Sequence, residues 1–387
     1  MKFTILTLGS AIAATNAAVL GERAASAVVG KPEGFASGAT GGGGAACQVP
    51  SSTSQLKTWL SDSTARCIIL DKEFNFKGTE GTVTETGCRP ASNKCPGNGG
   101  QDAINHASWC TNGNAGAGSI NIQVTYDKAG VSGLTVGSNK SIIGSGSKGV
   151  LRGKGLRIAN GAKNVIIQNI HITDLNPQYI WGGDAITVDG SDLVWVDHCK
   201  VSLIGRQMFV AGNGASNRVT LSNNEFDGRS SWSATCDGRH YWGIYLTGSQ
   251  DLITMKNNYI HHTSGRSPKI GGNSLVHAVN NMFHDNTGHA FDNDKGGMVV
   301  AEGNVFQNVK TPLLTNAGQF FGSPSTSANA VCSASLGHAC QLNAFGSSGS
   351  LGGTDTGFMS NFQGKSIASA STANAGSIQN AAGFGKI

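Results

Sequence analysis

The sequence predicts an all-β protein built as a parallel β-helix, that is, a single-stranded solenoid of stacked coils. Between residues 219 and 306 one pattern occurs four times: a β-branched strand, an asparagine step and an apolar residue that points inward. The last asparagines of the copies lie at positions 224, 258, 281 and 304, so one spacing is 34 residues and two are 23. A period in the low twenties is typical of stacked coils, and the longer spacing contains an insertion.

The composition fits short strands joined by tight turns. Of 387 residues 56 are glycine, which is twice the usual share of ~7 %, and glycine adopts the positive φ that such turns need. The formal net charge is +5 without any basic run, which excludes the footprint of a nucleic-acid-binding protein. The same mild excess is compatible with a polyanionic or partly neutralised substrate. We expect one domain that acts as a monomer.

The N-terminus has the pattern of a secretory signal peptide. Residues 1–18 contain a basic start, a short apolar run and then small residues. We expect residues 19–44 to be a flexible segment or a short propeptide, and residues 45–387 to form the folded domain. Its Ser/Ala/Gly-rich tail, after about residue 322, is either a surface strap or partly disordered. No later segment approaches the ~20 apolar residues of a membrane span, so we expect a secreted protein.

The elements before the four copies are expected to begin the stack. A capping box at 52–55 precedes apolar residues at helical spacing, which predicts a short helix covering the open end of the strands. Residues 85–118 are rich in Cys, Gly and Asn and lack periodicity, so we expect a loop region there. The strand pattern then continues through β-branched runs at 141–144, 165–172 and 193–201.

The repeated asparagines are predicted to be structural. At the bends between strands their amides can hydrogen-bond the backbone or one another from coil to coil. Two other repeat architectures fit less well: a propeller needs blades of ~40 residues, and a leucine-rich solenoid needs a leucine pattern that this chain lacks.

Two short basic segments follow strands of the stack. Arg206 comes after the run that ends at residue 201, and Arg266 and Lys269 flank a serine and a proline that stiffens their loop. Stacked coils would bring the three side chains to one cleft, where gathered cations are costly unless something anionic binds or develops there. Solvated surface charge is the alternative. Asp184 is either functional, as a polar contact to substrate or a partner for Arg206, or a turn aspartate.

Five aromatic residues lie near Gly-rich loops rather than inside the apolar coils. Flat rings of this kind stack on the faces of sugar rings, so their concentration near one cleft favours a polysaccharide site. Partial burial in the core is the alternative for each of them alone. The candidates for substrate binding are Trp109, Trp181, Trp232, Tyr241 and Trp242.

The cysteines are typical of an oxidising compartment. Nine cysteines in a secreted chain indicate disulfides and at least one unpaired thiol. Zinc is disfavoured because no Cys-x2-Cys or Cys/His pairs occur at ligand spacing, and we expect no metal and no other cofactor. Cys199 lies in an apolar strand and is predicted to be a core residue. Asn139 begins the only glycosylation sequon of the chain.

Nine short motifs together carry a resemblance to a known family. Over about residues 30–320 the chain resembles the secreted fungal pectin lyases of polysaccharide lyase family 1, which implies a right-handed parallel β-helix. The fourth motif alone would indicate only the wider pectate lyase superfamily. The motifs are Tyr-Asp-Lys-Ala-Gly at 126–130, Gly-Lys-Gly-Leu-Arg-Ile at 153–158, Trp-Gly-Gly-Asp-Ala-Ile at 181–186, Val-Trp-Val-Asp-His at 194–198, Ile-Gly-Arg-Gln at 204–207, Ser-Ala-Thr-Cys at 233–236, His-Tyr-Trp-Gly at 240–243, Ser-Gly-Arg-Ser-Pro-Lys at 264–269 and Gly-His-Ala-Phe at 288–291.

The resemblance implies β-elimination in methyl-esterified polygalacturonate. A proton leaves C5, the glycosidic oxygen departs from C4, and an unsaturated uronide end forms. Arg266 would take the proton, while Arg206 and Lys269 would stabilise charge on the ester carbonyl. Asp184 would arrange Arg206 and the substrate. The resemblance also implies disulfides Cys88–Cys110, Cys95–Cys236 and Cys332–Cys340, which leaves Cys47, Cys67 and Cys199 unmatched.

Charge at the reacting unit separates the expected activity from its alternatives. An ionised uronate opposes further negative charge, so a pectate lyase binds Ca²⁺ through several carboxylates to neutralise it. In this chain Arg206 occupies a position where such a calcium site would have an acidic residue. The alternative functions are a calcium-dependent pectate lyase, a hydrolase with two positioned carboxylates and a non-catalytic pectin-binding protein. A water or hydroxide base is the alternative to Arg266, since arginine is not expected to lose its proton.

Three segments depart from the family pattern. Residues 89–93 and 112–118 lack aromatic residues that we expect there, so the aromatic cleft is expected to be thinner. Residues 292–295 are more charged than we expect.

Overall fold

The computed structural model of the chain describes residues 28–95 and 99–387. The predicted signal peptide, residues 1–18, and residues 19–27 of the expected flexible segment lie outside the described residues. Across the described ranges, none of the helices combines the length and the apolar character needed to cross a bilayer.

The described residues form 29 strands and four α-helices. In chain order the strands are β1 Cys47–Gln48, β2 Arg66–Leu70, β3 Glu73–Asn75, β4 Thr82–Arg89, β5 Asp102–Ala103, β6 Ile120–Asp127, β7 Leu134–Thr135, β8 Lys140–Gly144, β9 Val150–Arg152, β10 Leu156–Ala159, β11 Lys163–Gln168, β12 His171–Leu175, β13 Tyr179–Ile180, β14 Ile186–Asp189, β15 Asp192–Asp197, β16 Lys200–Ile204, β17 Phe209–Ala211, β18 Asn217–Ser222, β19 Glu225–Asp227, β20 Ile244–Leu246, β21 Asp251–Lys256, β22 Tyr259–His261, β23 Lys269–Ile270, β24 Ser274–Val279, β25 Met282–Asn293, β26 Gly297–Glu302, β27 Val305–Asn316, β28 Gln319–Phe321 and β29 Ala344–Gly346. The helices are α1 Thr53–Ser61, α2 Thr326–Asn329, α3 Ser333–Leu336 and α4 Ala375–Ala381.

Three parallel faces make up the stack. The first face has ten strands in the order β1-β2-β8-β11-β15-β18-β21-β24-β26-β28. The second face contains β3, β9, β12, β16, β19 and β22, and the third face contains β7, β10, β14, β17, β20 and β23. Strand β25 is long enough to join the second and third faces. Each coil crosses the faces in turn, which confirms the predicted parallel β-helix.

Columns of identical or similar apolar side chains fill the interior. On the first face the parallel register places one β-branched residue of each coil directly above that of the preceding coil. Each such side chain stabilises the fold by about 1.5–3 kcal/mol relative to an exposed one. One column, fully buried along its length, contains Val165, Val194, Val219, Ile253, Val276 and Val299.

The repeated asparagines form a buried hydrogen-bonded ladder along the helix axis. Asn224 Nδ2 donates to Asn258 Oδ1 at 2.9 Å, Asn258 Nδ2 to Asn281 Oδ1 at 2.8 Å, and Asn281 Nδ2 to Asn304 Oδ1 at 3.0 Å. The predicted structural role of these residues is confirmed. A fifth member, Asn343, accepts from Asn304 at 3.1 Å, and sequence analysis missed it because 39 residues separate the two.

The predicted capping helix is confirmed as α1. Ser52 is its N-cap and accepts from Gln55 N, while Gln55 Oε1 accepts in return from Ser51 N at 2.6 Å. Leu56 and Leu60 are fully buried in the main core, so the helix closes the first coil.

The expected loop region at 85–118 is partly wrong. Strand β4 pairs antiparallel with β6 over eight residue pairs, and β5 and β13 extend this pair into a small separate sheet. The register runs from Thr82 opposite Asp127 to Arg89 opposite Ile120. The disulfide Cys88–Cys110 joins strand β4 of this sheet to the loop with Trp109, which packs in one cluster with Trp181 and Trp242.

Residues 28–44, the described part of the segment expected to be flexible or a short propeptide, are packed against the first face, and the propeptide alternative stays a prediction. Phe35 is buried and its N–H donates to Thr254 Oγ1 at 3.1 Å. Gly42 N donates to Ser141 Oγ at 2.9 Å. These residues therefore pack as a strap along the outer surface of the first face.

The tail after residue 322 is also a surface strap. Phe358 and Phe362 are buried in a cluster with Phe35 and Phe321, on the outer side of the first face. The Asn280 side chain accepts from Ser371 N at 2.9 Å, which fixes a later part of the tail. Of the two alternatives that the sequence leaves open, the structure therefore shows the surface strap.

Four disulfides lie among the described residues. Three are the pairs that the resemblance implies, Cys88–Cys110, Cys95–Cys236 and Cys332–Cys340. The resemblance leaves Cys47 and Cys67 unmatched, and in the structure they pair with each other. In β1 and β2 they occupy directly opposite positions. Cys199 is a free thiol in the core, as predicted.

Candidate active site

The candidate site lies where the chain turns from the second face to the third face. Asp184 precedes β14, Arg206 lies between β16 and β17, and Arg266 lies between β22 and β23. Backbone pairing aligns these turns, since Arg206 N donates to Gly183 O at 2.9 Å. Because β14, β17, β20 and β23 pair in parallel, side chains from four successive coils meet on one surface.

Arg206 is held by an aromatic ring and a carboxylate. Its guanidinium carbon lies 3.6 Å from the centre of the Trp181 ring. Its Nη1 lies 3.5 Å from Asp184 Oδ2, and Asp184 Oδ1 accepts from Gln207 N at 2.8 Å. Of the two interpretations of Asp184, the structure shows the partner of Arg206.

The electrostatics of Arg206 and Asp184 couple them to Arg266. Burial lowers the pKa of Arg206, the charge of Arg266 acts in the same direction, and Asp184 opposes both. Burial raises the pKa of Asp184, against the charge of Arg206 and the hydrogen bond from Gln207. Arg266 is therefore close enough to Arg206 to disfavour the charged form of Arg206, as expected for a site that binds an anion.

Arg266 is surrounded by aromatic rings. Its guanidinium carbon lies 4.6 Å from the ring centre of Trp242, 5.1 Å from that of Tyr245 and 5.7 Å from that of Tyr241. Its Nε is buried without a hydrogen-bond partner among the described residues. No carboxylate of the described chain forms an ion pair with it, in contrast to Arg206. The group therefore keeps its donors for a ligand.

The backbone around Arg266 is tightly constrained. Arg266 has a φ of 46°, and its N–H donates to His289 Nε2 at 3.2 Å. A Cβ on the preceding Gly265 would lie 2.5 Å from the Tyr241 ring, so a glycine is needed there. Strained positive φ at a non-glycine residue persists only where the surroundings impose it, and such positions cluster at functional sites.

Lys269 is paired with two carboxylates of the chain. It lies on β23 opposite Asp292 in the next coil, and its Nζ donates to Asp292 Oδ2 at 2.9 Å and approaches Asp294 Oδ2 at 2.8 Å. Burial alone would lower the pKa of Lys269, but the two carboxylates outweigh it and raise the pKa. The structure thus brings Arg206 and Arg266 together and places Lys269 beside them as a neutralised group.

Four of the five predicted aromatic residues share one cluster. Trp109, Trp181, Tyr241 and Trp242 pack around the Cys88–Cys110 disulfide. Trp242 is only 9 % exposed and its Nε1 donates to Gln101 Oε1 at 2.9 Å. Trp242 therefore supports Arg266 from below and offers little surface to a sugar, which favours the core alternative for this residue.

Trp232 lies apart from that cluster. It is 38 % exposed and lines a cavity of about 460 Å³ together with Arg89, Asp102 and Tyr179. The disulfide Cys95–Cys236 ties the loop that carries it to the segment between β4 and β5.

The cavity next to Arg206 holds residues that sequence analysis missed. It has a volume of about 300 Å³ and is lined by Ile104, His106, Tyr126, Val131, Trp181, Gly183, Asp184 and Arg206. The His106 ring lies 4.5 Å from that of Trp181. The loop from 104 to 112 has no periodic pattern, so no signal in the sequence places it here.

His240 is a second missed residue, and its role is to hold the backbone. Its Nε2 faces Arg206 O at 2.6 Å and Trp242 O at 3.0 Å, so this nitrogen carries the proton and donates. Burial lowers the pKa of His240 to about 4. The neutral ring therefore ties the Arg206 turn to the coil that supports Arg266.

Two groups of potential metal ligands occur among the described residues. One consists of His277, Glu302 and His338, and the other of Glu225, Asp227 and His261. Neither contains a residue of the candidate site. Asp184 alone is a poor start for a calcium site, which needs six to eight oxygen ligands.

Comparisons with known proteins agree with this geometry. A family model described as pectate lyase matches residues 107–387. Pectin lyase B of Emericella nidulans is 58% identical over 99% of this chain and 98% of its own length. Probable pectin lyase A of Aspergillus fumigatus is 59% identical over 93% of this chain and 95% of its own.

Solved structures show the same fold at low identity. A pectate lyase from Bacillus sp. N165 in complex with trigalacturonate has a TM-score of 0.58 at 20% identity, covering 92% of this chain and 99% of that one. The major allergen from cedar pollen has a TM-score of 0.54 at 18% identity, covering 91% and 92%. With a family model over most of its length and relatives identical at more than half of their positions, the chain belongs to the pectate lyase family and, within it, groups with the fungal pectin lyases.

Proposed function

We propose that the chain is a secreted pectin lyase, which cleaves the α-1,4 bonds of methyl-esterified polygalacturonan by β-elimination without calcium. Relatives named pectin lyase, identical at 53% to 59% of positions, support the activity. The observation that supports an esterified substrate is the pair Arg206 and Arg266. Arg206 forms an ion pair with Asp184, whereas Arg266 forms none with any carboxylate among the described residues.

The elimination step balances without a redox partner. A base takes the proton from C5, the C5–H electron pair becomes the C4–C5 double bond, and the C4–O bond breaks. The departing oxygen keeps its electron pair and is protonated by solvent. Negative charge grows on the ester carbonyl as the proton leaves, so donors preorganised around that oxygen lower the barrier.

The roles follow from the contacts of each residue. Arg206, oriented by Asp184 and Trp181, is the donor to the ester carbonyl. Arg266, unpaired by carboxylate and enclosed by aromatic rings, faces the reacting carbon and takes or directs the removal of the proton. Lys269 adds a third donor, weakened by its two aspartates.

The donor set favours an ester over a carboxylate plus calcium. A methyl ester is neutral, so the carbanion can develop without a divalent cation. Both carboxylate oxygens of Asp184 already have partners, Oδ2 with Arg206 and Oδ1 with Gln207 N. A calcium-dependent pectate lyase would need several more carboxylates at this point.

The aromatic residues and the cavities describe a groove for a polymer. Trp181 lines the cavity next to Arg206 and packs in one cluster with Tyr241 and Trp109, and Trp232 lines the separate cavity near Arg89. Aromatic faces stack on sugar rings, and the polar side chains between them orient the hydroxyl groups. Trp242 does not contact the polymer in this proposal, and its ring instead supports the Arg266 guanidinium.

Secretion, glycosylation and a monomeric state belong to the same proposal. Four disulfides fit an oxidising compartment. Asn139 is exposed, and its side-chain oxygen accepts from Asn164 Nδ2 at 2.8 Å. Treatment of the secreted protein with a glycosidase, followed by mass measurement, tests the sugar at this position.

The product of digestion tests the proposed reaction. Highly esterified pectin should yield fragments with an unsaturated end, which absorb ultraviolet light and are one water molecule lighter than hydrolysis products. Hydrolysed ends without this absorbance would show a hydrolase. Binding of the polymer without any fragments would show a non-catalytic pectin-binding protein.

A further inference from the structure

An ion-pair network with a net negative charge borders the candidate site. We call it the Lys269 clamp, and it consists of Lys269, Asp292 and Asp294. The Lys269 Nζ lies 2.9 Å from Asp292 Oδ2 and 2.8 Å from Asp294 Oδ2. One ammonium and two carboxylates sum to one negative charge. The Asp292 side chain is 11 % exposed, whereas that of Asp294 is 48 % exposed and faces solvent.

The clamp lies directly next to Arg266 along the helix axis. Lys269 pairs with Tyr245 of the preceding coil, and the Arg266 guanidinium carbon lies 5.1 Å from the ring of that tyrosine. Asp292 follows in the next coil, opposite Lys269. Neighbouring strands are about 4.8 Å apart. The surface therefore changes from positive at Arg206 and Arg266 to negative within one or two coils.

A polymer that lies across the turns must cross this change of charge. We propose that Asp294, supported by Asp292, is a specificity-determining residue: at the sugar unit next to the reacting one it disfavours free galacturonate and accepts the methyl ester. The inference rests on the proposed function and deepens it, because it concerns a neighbour of the reacting unit. The reacting unit is esterified for the chemistry, whereas its neighbour is selected by charge.

The expected size follows from Coulomb's law. Two like charges 5–10 Å apart lower binding by roughly twofold to fourfold at the dielectric constant of bulk water, and by more at the lower effective value of a protein surface, so we expect roughly threefold to tenfold at this half-exposed carboxylate. Salt screens this repulsion, because the Debye length falls from about 10 Å at 0.1 M to about 3 Å at 1 M. Lys269 stays charged, since the carboxylates raise its pKa, and so the clamp keeps its composition while the polymer is ionised.

The variant Asp294→Asn tests the inference. We would measure kcat/KM on fully esterified pectin and on pectin with about half of its esters removed at random. In the second polymer an esterified reacting unit often has a free carboxylate beside it. The kcat/KM on fully esterified pectin divided by that on half-esterified pectin should be roughly threefold to tenfold smaller in the variant than in the wild type. The decrease should be smaller in 1 M salt.

Three further variants complete the comparison. Asp294→Glu keeps the charge and should keep the wild-type ratio. Asp71→Asn removes an equal charge from an exposed position between β2 and β3 and should also leave the ratio unchanged. Asp294→Ser replaces the asparagine variant if that one fails to fold. If the loss of Asp294 acted only by displacing Lys269, kcat/KM would decrease equally on both polymers and the ratio of the two values would not change.

The outcomes separate this inference from the proposed function. A folded neutral variant with the wild-type ratio overturns the inference, while continued release of unsaturated fragments from esterified pectin leaves the proposed function standing. If wild-type protein releases no unsaturated fragments from either polymer, the proposed function fails and takes the inference with it.

Discussion

The guanidinium carbon of Arg206 lies 3.6 Å from the ring centre of Trp181, which is among the shortest cation–aromatic contacts of the described chain. The two residues come from successive coils, and Asp184 binds the same guanidinium from the Trp181 segment. The aromatic face and the carboxylate thus fix Arg206 before a substrate arrives. A preorganised cation needs no rearrangement when charge develops on the substrate.

Removal of the Trp181 ring should therefore weaken catalysis. Desolvated cation–π contacts contribute about 1–2 kcal/mol, so Trp181→Ala should lower kcat/KM on esterified pectin by about 5- to 30-fold. Trp181→Phe keeps an aromatic face and should lose less. Equal losses in the two variants would show that an aromatic face at this position does not support Arg206.

Replacement of Arg266 should remove turnover and leave binding. Lysine keeps the positive charge but not the planar group enclosed by Trp242 and Tyr245. We expect Arg266→Lys to lower kcat by about 100-fold or more, the size of effect typical for a proton-transfer group, with polymer affinity close to that of the wild type. Arg66→Lys, remote in β2, is the matched control and should keep the wild-type rate. Unchanged turnover in Arg266→Lys would exclude Arg266 from the chemistry.

The asparagine ladder predicts a stability effect remote from the site. Asn258 accepts from Asn224 and donates to Asn281 Oδ1 and Leu221 O, all in the buried interior. Asn258→Ala should lower the free energy of unfolding by about 2–4 kcal/mol, because buried partners are left unsatisfied. Denaturant unfolding measures the change. Asn114→Ala, at an exposed position, is the control and should stay within about 0.5 kcal/mol of the wild type.

His240 predicts a loss of stability on acidification. Its pKa is lowered to about 4 in the folded protein, from an ordinary value of 6.5. The unfolded chain therefore binds a proton first, and the free energy of unfolding decreases as the pH falls from 6.5 toward 4. The full decrease is up to roughly 3 kcal/mol. Thermal unfolding across this range should show a smaller slope in His240→Gln, and identical slopes would contradict the assignment.

The repeats made the fold predictable, because each copy carries the whole pattern of a coil within a few residues. Val219, Asn224 and Phe226 have equivalents in every later copy, so the period can be seen without the structure. The strap formed by residues 28–44 and the tail has no such period. Its burial depends on contacts far apart in the chain, such as that between Phe35 and Phe362.

The site was predictable only in its cations and its main aromatic residues. Arg206, Arg266 and Asp184 stand in short motifs with Gly and Pro around them. The partners of Lys269 are acidic residues 23 and 25 positions later, and nothing in a single segment relates them. The small polar contacts of His240 and Gln101 depend on how neighbouring coils stack, which the sequence does not show.

The central claim is that paired arginines replace a divalent cation in eliminating an esterified uronide. The most direct measurement is the rise in ultraviolet absorbance on highly esterified pectin and on unesterified polygalacturonate, each with and without a chelator. We predict a rapid rise on the esterified polymer that the chelator leaves unchanged, and little rise on polygalacturonate. Faster reaction on polygalacturonate that the chelator abolishes would contradict the claim.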